Sequence, residues 1–567
     1  MPTVSQILQE RLQNALRAVG IASDEPLQLT PTTDPRHGDY QTNAAMVLAK
    51  KLTLNARNLA SRIVAHLSTN DIGEPAEVAG PGFINFRLSP EFLGKRLQEL
   101  ALDTHLGVEP VAKPKTIVID FSSPNIAKPM HVGHIRSTNL GDALARVARF
   151  LGYHVITDNH LGDWGTQFGK VLYGWKRLLN QSCLDSDPIA ELVRIYREAD
   201  AAAEKDPGVL EVCRQELVKL QQGDVENRRI WQQCVQLSMQ DFSRVYDLLG
   251  VRFEYQLGES FYNPQLPRVV QELQDRGLAE KSEGAIVVWD RALSEDPFII
   301  RKSDGGFGYA TTDVATIEYR VQQWHADSIW YVVGAPQHLH FQQLFSLAQR
   351  LGYNLDLQHI AFGSILGEDR KLMRTRSGES VSLRVLLDEA VSRATAIVAE
   401  KNRELSESER AAIGRIVGIG AIKYADLSQY RMSDYVFSWD KMLSLQGNTA
   451  PYLQNAYVRS RSIFRKLEAP FAAPSSVELR EEPELALTKK ILQFPDVVPA
   501  ILDGFKPNIL ANYLYELAAQ FHGFYESCPV LSAEPLKRET RLLLCDIFAR
   551  LLQTGLDLLG IRVPEKM

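Results

Sequence analysis

The sequence predicts an α/β protein: a doubly wound parallel sheet with a helical insertion, preceded by a small α+β domain and followed by an all-helical one. Three observations carry this reading. Thr116–Phe121 is a buried-strand pattern followed by a polar loop, a helix from about Gly133 to Phe150 and a second strand, Tyr153–Thr157, the βαβ order of a parallel sheet. From Gly169 to about Gly250 the pattern is long, charged and helical, broken only at Asp206-Pro207-Gly208. Beyond Leu383 the periodicity is almost wholly helical.

The elements follow in order. Val4, Ile7, Leu8, Leu12, Leu16 and Val19 recur at helical spacing, and Pro31–Pro35 and Gly80-Pro81-Gly82 punctuate the short segments after them. Residues 1–110 are therefore read as the α+β domain. Residues 111–385 are read as the Rossmann-like domain, with its insertion at about 170–250 and returning strands at Ala285–Trp289, Ser328–Val333 and His359–Phe362. Residues 386–441 form a helical stem and 442–567 the helical domain, which contains one linker-like stretch, Glu468–Pro483.

Composition excludes several classes. The chain has 567 residues, 45% hydrophobic and 23% charged, which suits large cores and excludes a disordered or disulfide-stapled protein. The apolar run Ile416–Ile422 stops at Lys423, far short of a span of about 20 residues. Glu10 and Arg11 stand where an export signal would be apolar, and the five cysteines form no CxxC pair, so a reducing, cytoplasmic location is expected. The net charge of −6 announces no nucleic acid; an RNA partner would need a local basic face.

The loop Ser122–His134 lies between the carboxyl end of a strand and a helix N-terminus, where α/β sheets bind ligands and free N–H groups favour phosphate. His131 and His134 share one face of the first turn, with Gly133 allowing close approach, and with Lys128 they could donate to charge developing on a phosphate. A surface His-x-x-His, or a metal pair without its third ligand, fits the spacing equally well. In Asp304–Asp313, a helix starting after Gly308 would set Tyr309 and Asp313 one turn apart. Asp313 also reads as an exposed helix residue, and Lys371–Arg376 as a solvated charge run.

The run Phe121–Thr138, containing His131-Val-Gly-His134, resembles the HIGH motif of class I aminoacyl-tRNA synthetases, and in its full length that of arginyl-tRNA synthetases. His37–Gln41 with Asn43–Ala45, Gly80–Asn85 and Asp158–Gly169 are similar to other stretches of that family, so the resemblance spans nearly the whole chain. Gly367–Gly378 resembles the degenerate KMSKS loop, with Arg374 where many members have lysine; Lys128 matches the family's compensating lysine.

The resemblance implies an arginine–tRNA ligase that forms arginyl-adenylate from L-arginine and ATP with Mg²⁺, then transfers arginine to the terminal ribose of tRNA(Arg). It implies catalytic roles for His131, His134, Lys128 and Arg374, with ATP also held by Gly133 and Arg376. It implies arginine contacts at Ser123, Asn125, His134, Glu259, Tyr309, Asp313 and Gln337, no protein metal site, and activation that depends on bound tRNA. Pairing a rigid five-donor cation with carboxylates can reject analogues strongly without editing, and no editing domain is identified.

Residues 442–567 hold 14 basic and 14 acidic side chains, so RNA contact there must be local. Leu453, Tyr457, Phe464 and Leu467 trace an apolar stripe. Arg459, Arg461, Arg465 and Lys466 fall largely off it, and Tyr452 could stack on an unpaired base. Under the resemblance this is the anticodon-binding domain, with Tyr452, Arg459 and Arg461 as tRNA contacts, and the N-terminal domain is a second tRNA contact. The expected partners are arginine, ATP and tRNA, without DNA or membrane, and the protein is read as a monomer. A cysteinyl synthetase, a small-substrate adenylyltransferase and a catalytically inert tRNA-binding relative are the competing readings.

Overall fold

The computed structural model describes residues 2–21, 27–32, 34–374 and 380–567, and the chain divides into two compact units. One gathers Met1–Pro110 with Leu445–Asp557 and Arg562–Met567; the other is Val111–Ser444 with Leu558–Ile561.

In the first unit, β1 (Leu29–Pro31), β2 (Tyr40–Thr42), β3 (Glu77–Ala79) and β4 (Phe83–Phe86) form an antiparallel sheet in the order β1-β2-β4-β3. The amphipathic start is the helix Val4–Ala18, opened by a Thr3–Gln6 capping box and burying Val4, Leu8, Leu12 and Leu16. The sequence reading separates residues 1–110 from 442–567, whereas long-range polar pairs join them in one unit. Lys489 Nζ lies 2.7 Å from Asp39 Oδ1, Ser5 Oγ donates to Asp496 Oδ2 at 2.8 Å, and Gln98 Nε2 donates to Ser475 O at 2.8 Å. The later part of this unit is helical: Ala450–Phe464, Glu482–Ile491, Phe494–Ala500, Asn508–Ser527 and most of Pro535–Leu558.

In the second unit, β5 (Thr116–Asp120), the helix Gly133–Phe150 and β6 (His154–Asp158) form the expected βαβ unit. The insertion consists of the helices Gln167–Leu178, Gln181–Ser186, Pro188–Lys205, Pro207–Gln222 and Val225–Leu249. Then come β7 (Glu280–Ser282), β8 (Ala285–Val288), β9 (Phe298–Arg301), β10 (Ser328–Tyr331), β11 (Asp356–His359), β12 (Ile365–Leu366) and β13 (Tyr435–Val436). The central sheet is parallel, in the order β11-β10-β5-β6. The expected strand at Ala285 does not join it. Glu283 and Gly284, at φ +48° and +80°, close a two-residue turn that forces β7 and β8 into an antiparallel pair within a separate three-stranded sheet. The strand expected at His359–Phe362 sits earlier, ending at His359.

The register aligns Tyr331, Asp120 and Asp158 across the carboxyl ends of β10, β5 and β6. Arg320, wholly buried on the helix Tyr309–Trp324, donates to Asp120 at 2.6 Å and to Asp158 at 2.7 Å, and its guanidinium lies 5.5 Å from the centre of the Tyr331 ring. A buried guanidinium is tolerated only when paired in this way, so the triad ties the strand ends that support the next loops.

Candidate active site

Leaving β5, the chain turns through three non-glycine residues in left-handed conformations: Ser122, Ser123 and Ala127, at φ +74°, +47° and +61°. Each such residue costs about 1 kcal/mol or more and persists only when its surroundings over-determine it. Here they do. Ser137 Oγ accepts the Ser122 N–H at 2.8 Å and donates to Val332 O at 2.7 Å; Asn159 Oδ1 accepts from Ser123 N, and Ser238 Oγ from Ala127 N. Ser123 Oγ donates to Asp120 at 3.1 Å. The loop after β5 is thus tied to the backbone that follows β10.

No side chain caps the helix that starts at Gly133; histidine ring nitrogens take amide protons there instead. Gly133 N–H donates to His131 Nδ1 at 3.1 Å, and His131 N–H donates to His134 Nδ1 at 3.1 Å. His134 Nδ1 also lies 3.3 Å from His131 O, but a ring nitrogen that accepts the His131 N–H carries no proton to donate there. Both imidazoles therefore carry their proton on Nε2, where it is free to donate. Their centroids are 4.0 Å apart. Burial, with Lys128's charge, pulls His131 below the usual histidine range; burial, with His131, pulls His134 down to about 3. They act as neutral donors at physiological pH. A Cβ at position 133 would meet the His131 ring at 2.8 Å. Lys128 is exposed, with its ammonium 5.3 Å from the centre of the Tyr196 ring on the helical insertion.

Main-chain hydrogen bonds stitch the first signature stretch to the segment just beyond the second. Val132 N–H donates to Val381 O and Leu383 N–H to Met130 O, each at 2.9 Å, and His131 bridges Ser382. Upstream, Gly367–Lys371 forms a tight turn after β12, and Arg374 bridges Ser380. Arg376 lies outside the described residues.

A second ladder links two of the expected arginine contacts, Asn125 and Glu259. Asn125 bridges Gly162, Leu161 bridges Gly258, and Glu259 N–H donates to Leu161 O at 3.0 Å. Asp163 Oδ1 accepts from Ser260 N at 2.8 Å, and its other oxygen from Ser260 Oγ at 2.5 Å. A Cβ at Gly258 would fall inside the Asp163 carboxylate. This packing turns Glu259 into a largely water-excluded position, where its carboxylate receives Trp164 N–H. Burial, then the charges of Asp163 and Asp313, push Glu259 up to about 8.

Asp313 follows Tyr309 by one turn on the helix Tyr309–Trp324, as expected, but it is not the exposed helix residue of the alternative reading. Its side chain is 23% exposed and lies 2.6 Å from His340 Nε2. Tyr309 is 73% exposed; desolvation of its hydroxyl and the charge of Glu259 raise it above the usual tyrosine range. Gln337 is exposed in the turn Ala335–Gln337, which follows β10 beside the first loop.

Family models match three stretches: the class I tRNA synthetase (R) catalytic domain over residues 97–439, the arginyl tRNA synthetase N-terminal domain over 6–88, and the DALR anticodon binding domain over 453–567. The chain is 46% identical over 580 residues to an arginine–tRNA ligase of Synechococcus (99% of each chain) and 44% identical over 575 residues to one of Chromobacterium violaceum (100% of each). Among solved structures it is similar to arginyl-tRNA synthetases of Plasmodium falciparum (TM-score 0.86, 30% identity) and Thermus thermophilus (TM-score 0.84, 26% identity), covering 100% of every chain. The chain belongs to the arginyl-tRNA synthetase family. Membership makes ATP a substrate and sets aside the cysteinyl and small-adenylyltransferase readings.

Immediately before the anticodon-binding match, Tyr452 faces Tyr515 and His522 inside it, with ring centroids 5.6 and 5.1 Å away. Arg459 lies 3.3 Å from His522 Nδ1 and over the Tyr525 ring. Arg461 differs: Asp546 holds it at 3.5 Å. Of the expected apolar stripe only Leu453 is fully buried; Tyr457, Phe464 and Leu467 are half-buried, and the helix turns Leu453, Ala456, Ser460 and Ile463 to the core instead.

Sequence reasoning missed Asp163, Ser137, Arg320 and His340. Asp163 and Ser137 carried a signal, their places within the family-like stretches Asp158–Gly169 and Phe121–Thr138; Arg320 and His340 act through neighbours distant in sequence.

Proposed function

We infer that the chain is an arginine–tRNA ligase acting through the site around Glu259, Asp313 and the paired imidazoles. The observation that carries the reading is Glu259: a carboxylate withdrawn from water, facing two others and receiving one backbone N–H. Such a group calls for a cation, and a guanidinium supplies five donors in a fixed fork. In this reading Asp313, Glu259, Tyr309, Asn125, Ser123 and Gln337 orient arginine so that its carboxylate attacks the α-phosphorus of ATP in line, pyrophosphate departs, and arginyl-adenylate forms. His131 and His134 donate from Nε2 to the phosphate oxygens, while Gly133 leaves room for the nucleotide and His134 also borders arginine. Lys128, Arg374 and Arg376 add positive charge. No side chain serves as nucleophile; positioning and electrostatics carry the step. The terminal ribose hydroxyl of tRNA(Arg) then takes arginine from the adenylate.

Mg²⁺ travels on the ATP phosphates in this reading; among the described residues no group of three or more His, Cys, Asp or Glu is arranged to hold a metal. Residues 111–385 do the chemistry, 386–441 form the stem, 442–567 read the anticodon through Tyr452, Arg459 and Arg461, and 1–110 hold the tRNA elsewhere. We place the protein in the cytoplasm as a monomer; no helix among the described residues is long and apolar enough to cross a membrane.

The test is aminoacylation across the twenty amino acids with total tRNA. Charging with arginine alone is expected. A folded, pure protein that charges no arginine would favour an inert tRNA-binding relative.

A further inference from the structure

We propose that His340 is a positioning residue for the arginine pocket: its Nε2–H anchors one oxygen of Asp313 so that the other faces the substrate guanidinium. The inference rests on the functional reading above.

His340 belongs to the helix His338–Arg350, and Asp313 to the helix Tyr309–Trp324. Their side chains, 26% and 23% exposed, meet at 2.6 Å between Nε2 and Oδ2. An ionised carboxylate only accepts, so the imidazole donates and its proton sits on Nε2. The ring cannot swing freely. Phe298 of β9 stands across it at 5.2 Å and 62°, and Phe341 at 5.5 Å and 88°.

Two consequences make this more than packing. A carboxylate rotates easily about its last torsion, whereas a planar guanidinium fork needs the acceptor plane fixed; one donor fixes it and leaves the second oxygen open. An imidazole can also donate this bond without a charge of its own, so holding Asp313 need not cancel the negative charge the substrate meets. Lysine or arginine at 340 would pair with Asp313 permanently and compete with the incoming guanidinium.

The experiment measures ATP–pyrophosphate exchange with saturating tRNA on the full chain and on H340F, H340Q and H340K. H340F keeps the ring and removes the donor; its KM for arginine should rise about tenfold or more, with kcat and the KM for ATP within about twofold. H340Q, whose amide nitrogen reaches a similar point, should recover most of the loss. H340K should bind arginine worst. An H340F arginine KM within twofold of the parent overturns the proposal. So does an H340Q as impaired as H340F, or an equal loss in the ATP KM and kcat, which a merely structural role would give. H340L replaces H340F should the latter not fold. A parent chain that fails to activate arginine refutes the functional reading instead.

Discussion

Raising the pH from 7 to 9 should lower the KM for arginine about tenfold, and E259Q should remove that dependence. Burial and two neighbouring carboxylates hold the Glu259 acid up to about 8 in the empty site. At pH 7 only about one molecule in eleven then carries the ionised form, while the arginine guanidinium stays charged throughout. If the cation binds the ionised form, the apparent KM is multiplied by one plus the ratio of protonated to ionised Glu259: about elevenfold at pH 7, about twofold at pH 8 and negligible at pH 9. The free energy involved from pH 7 to 9 is about 1.4 kcal/mol. The assay is tRNA-saturated ATP–pyrophosphate exchange at fixed ionic strength, fitted for arginine KM at each pH. The α-amino group of arginine titrates nearby, so E259Q is the necessary control: a raised KM, flat with respect to this group. A flat parent profile between pH 7 and 9, or an unchanged slope in E259Q, refutes the reasoning. The sign for stability is opposite. A folded-state value raised from 4.5 to about 8 gives the empty protein stability that is present in full below about 4.5 and is lost as pH rises through about 8. Thermal stabilisation by arginine should therefore grow with pH across this window.

The D313A variant should lose about two to three orders of magnitude in kcat/KM for arginine in the same exchange assay, with its melting temperature nearly unchanged, since the half-buried carboxylate it removes bonds His340 and not the core. G258A sets a methyl group into the Asp163 carboxylate and shifts Glu259, so arginine KM should rise at least tenfold while ATP KM holds, measured by substrate titration. With both imidazoles pulled below the ordinary histidine range, kcat should show no histidine titration between about pH 6 and 8, and H134A should lower kcat about a hundredfold or more. R459A should raise the tRNA KM more than R461A, because Asp546 already occupies Arg461.

The sequence exposed what is local. The Thr116–Asp120 strand, its polar loop and the helix from Gly133 follow from apolar runs and a 3.6-residue period, as do the insertion helices. Tyr309 and Asp313 were legible because one helical turn sets their relation. What escaped depends on pairing across long separations: Asp163 orienting Glu259 through Ser260, Ser137 bracing Ser122, His340 meeting Asp313. Ser122, Ser123 and Ala127 gave no hint of left-handed backbone, since none is glycine and the hydrogen bonds that hold them come from Ser137, Asn159 and Ser238. The placement of β8 outside the parallel sheet turned on a two-residue hairpin that composition alone does not reveal. Likewise, nothing near Asp39 announces Lys489, so the joining of 1–110 with the later helices was invisible from either end.

Both units are closed by stretches far apart in synthesis order. As the chain leaves the ribosome, Lys423 of the catalytic unit is buried beside Asp142, yet one acceptor of its ammonium, the Gly560 carbonyl, is made more than a hundred residues later. Residues 1–110 likewise emerge well before partners such as Lys489 and Asp496. Neither unit can complete its packing before those later stretches emerge, so nascent chains should expose unfinished cores to chaperones until residues 558–561 clear the exit tunnel.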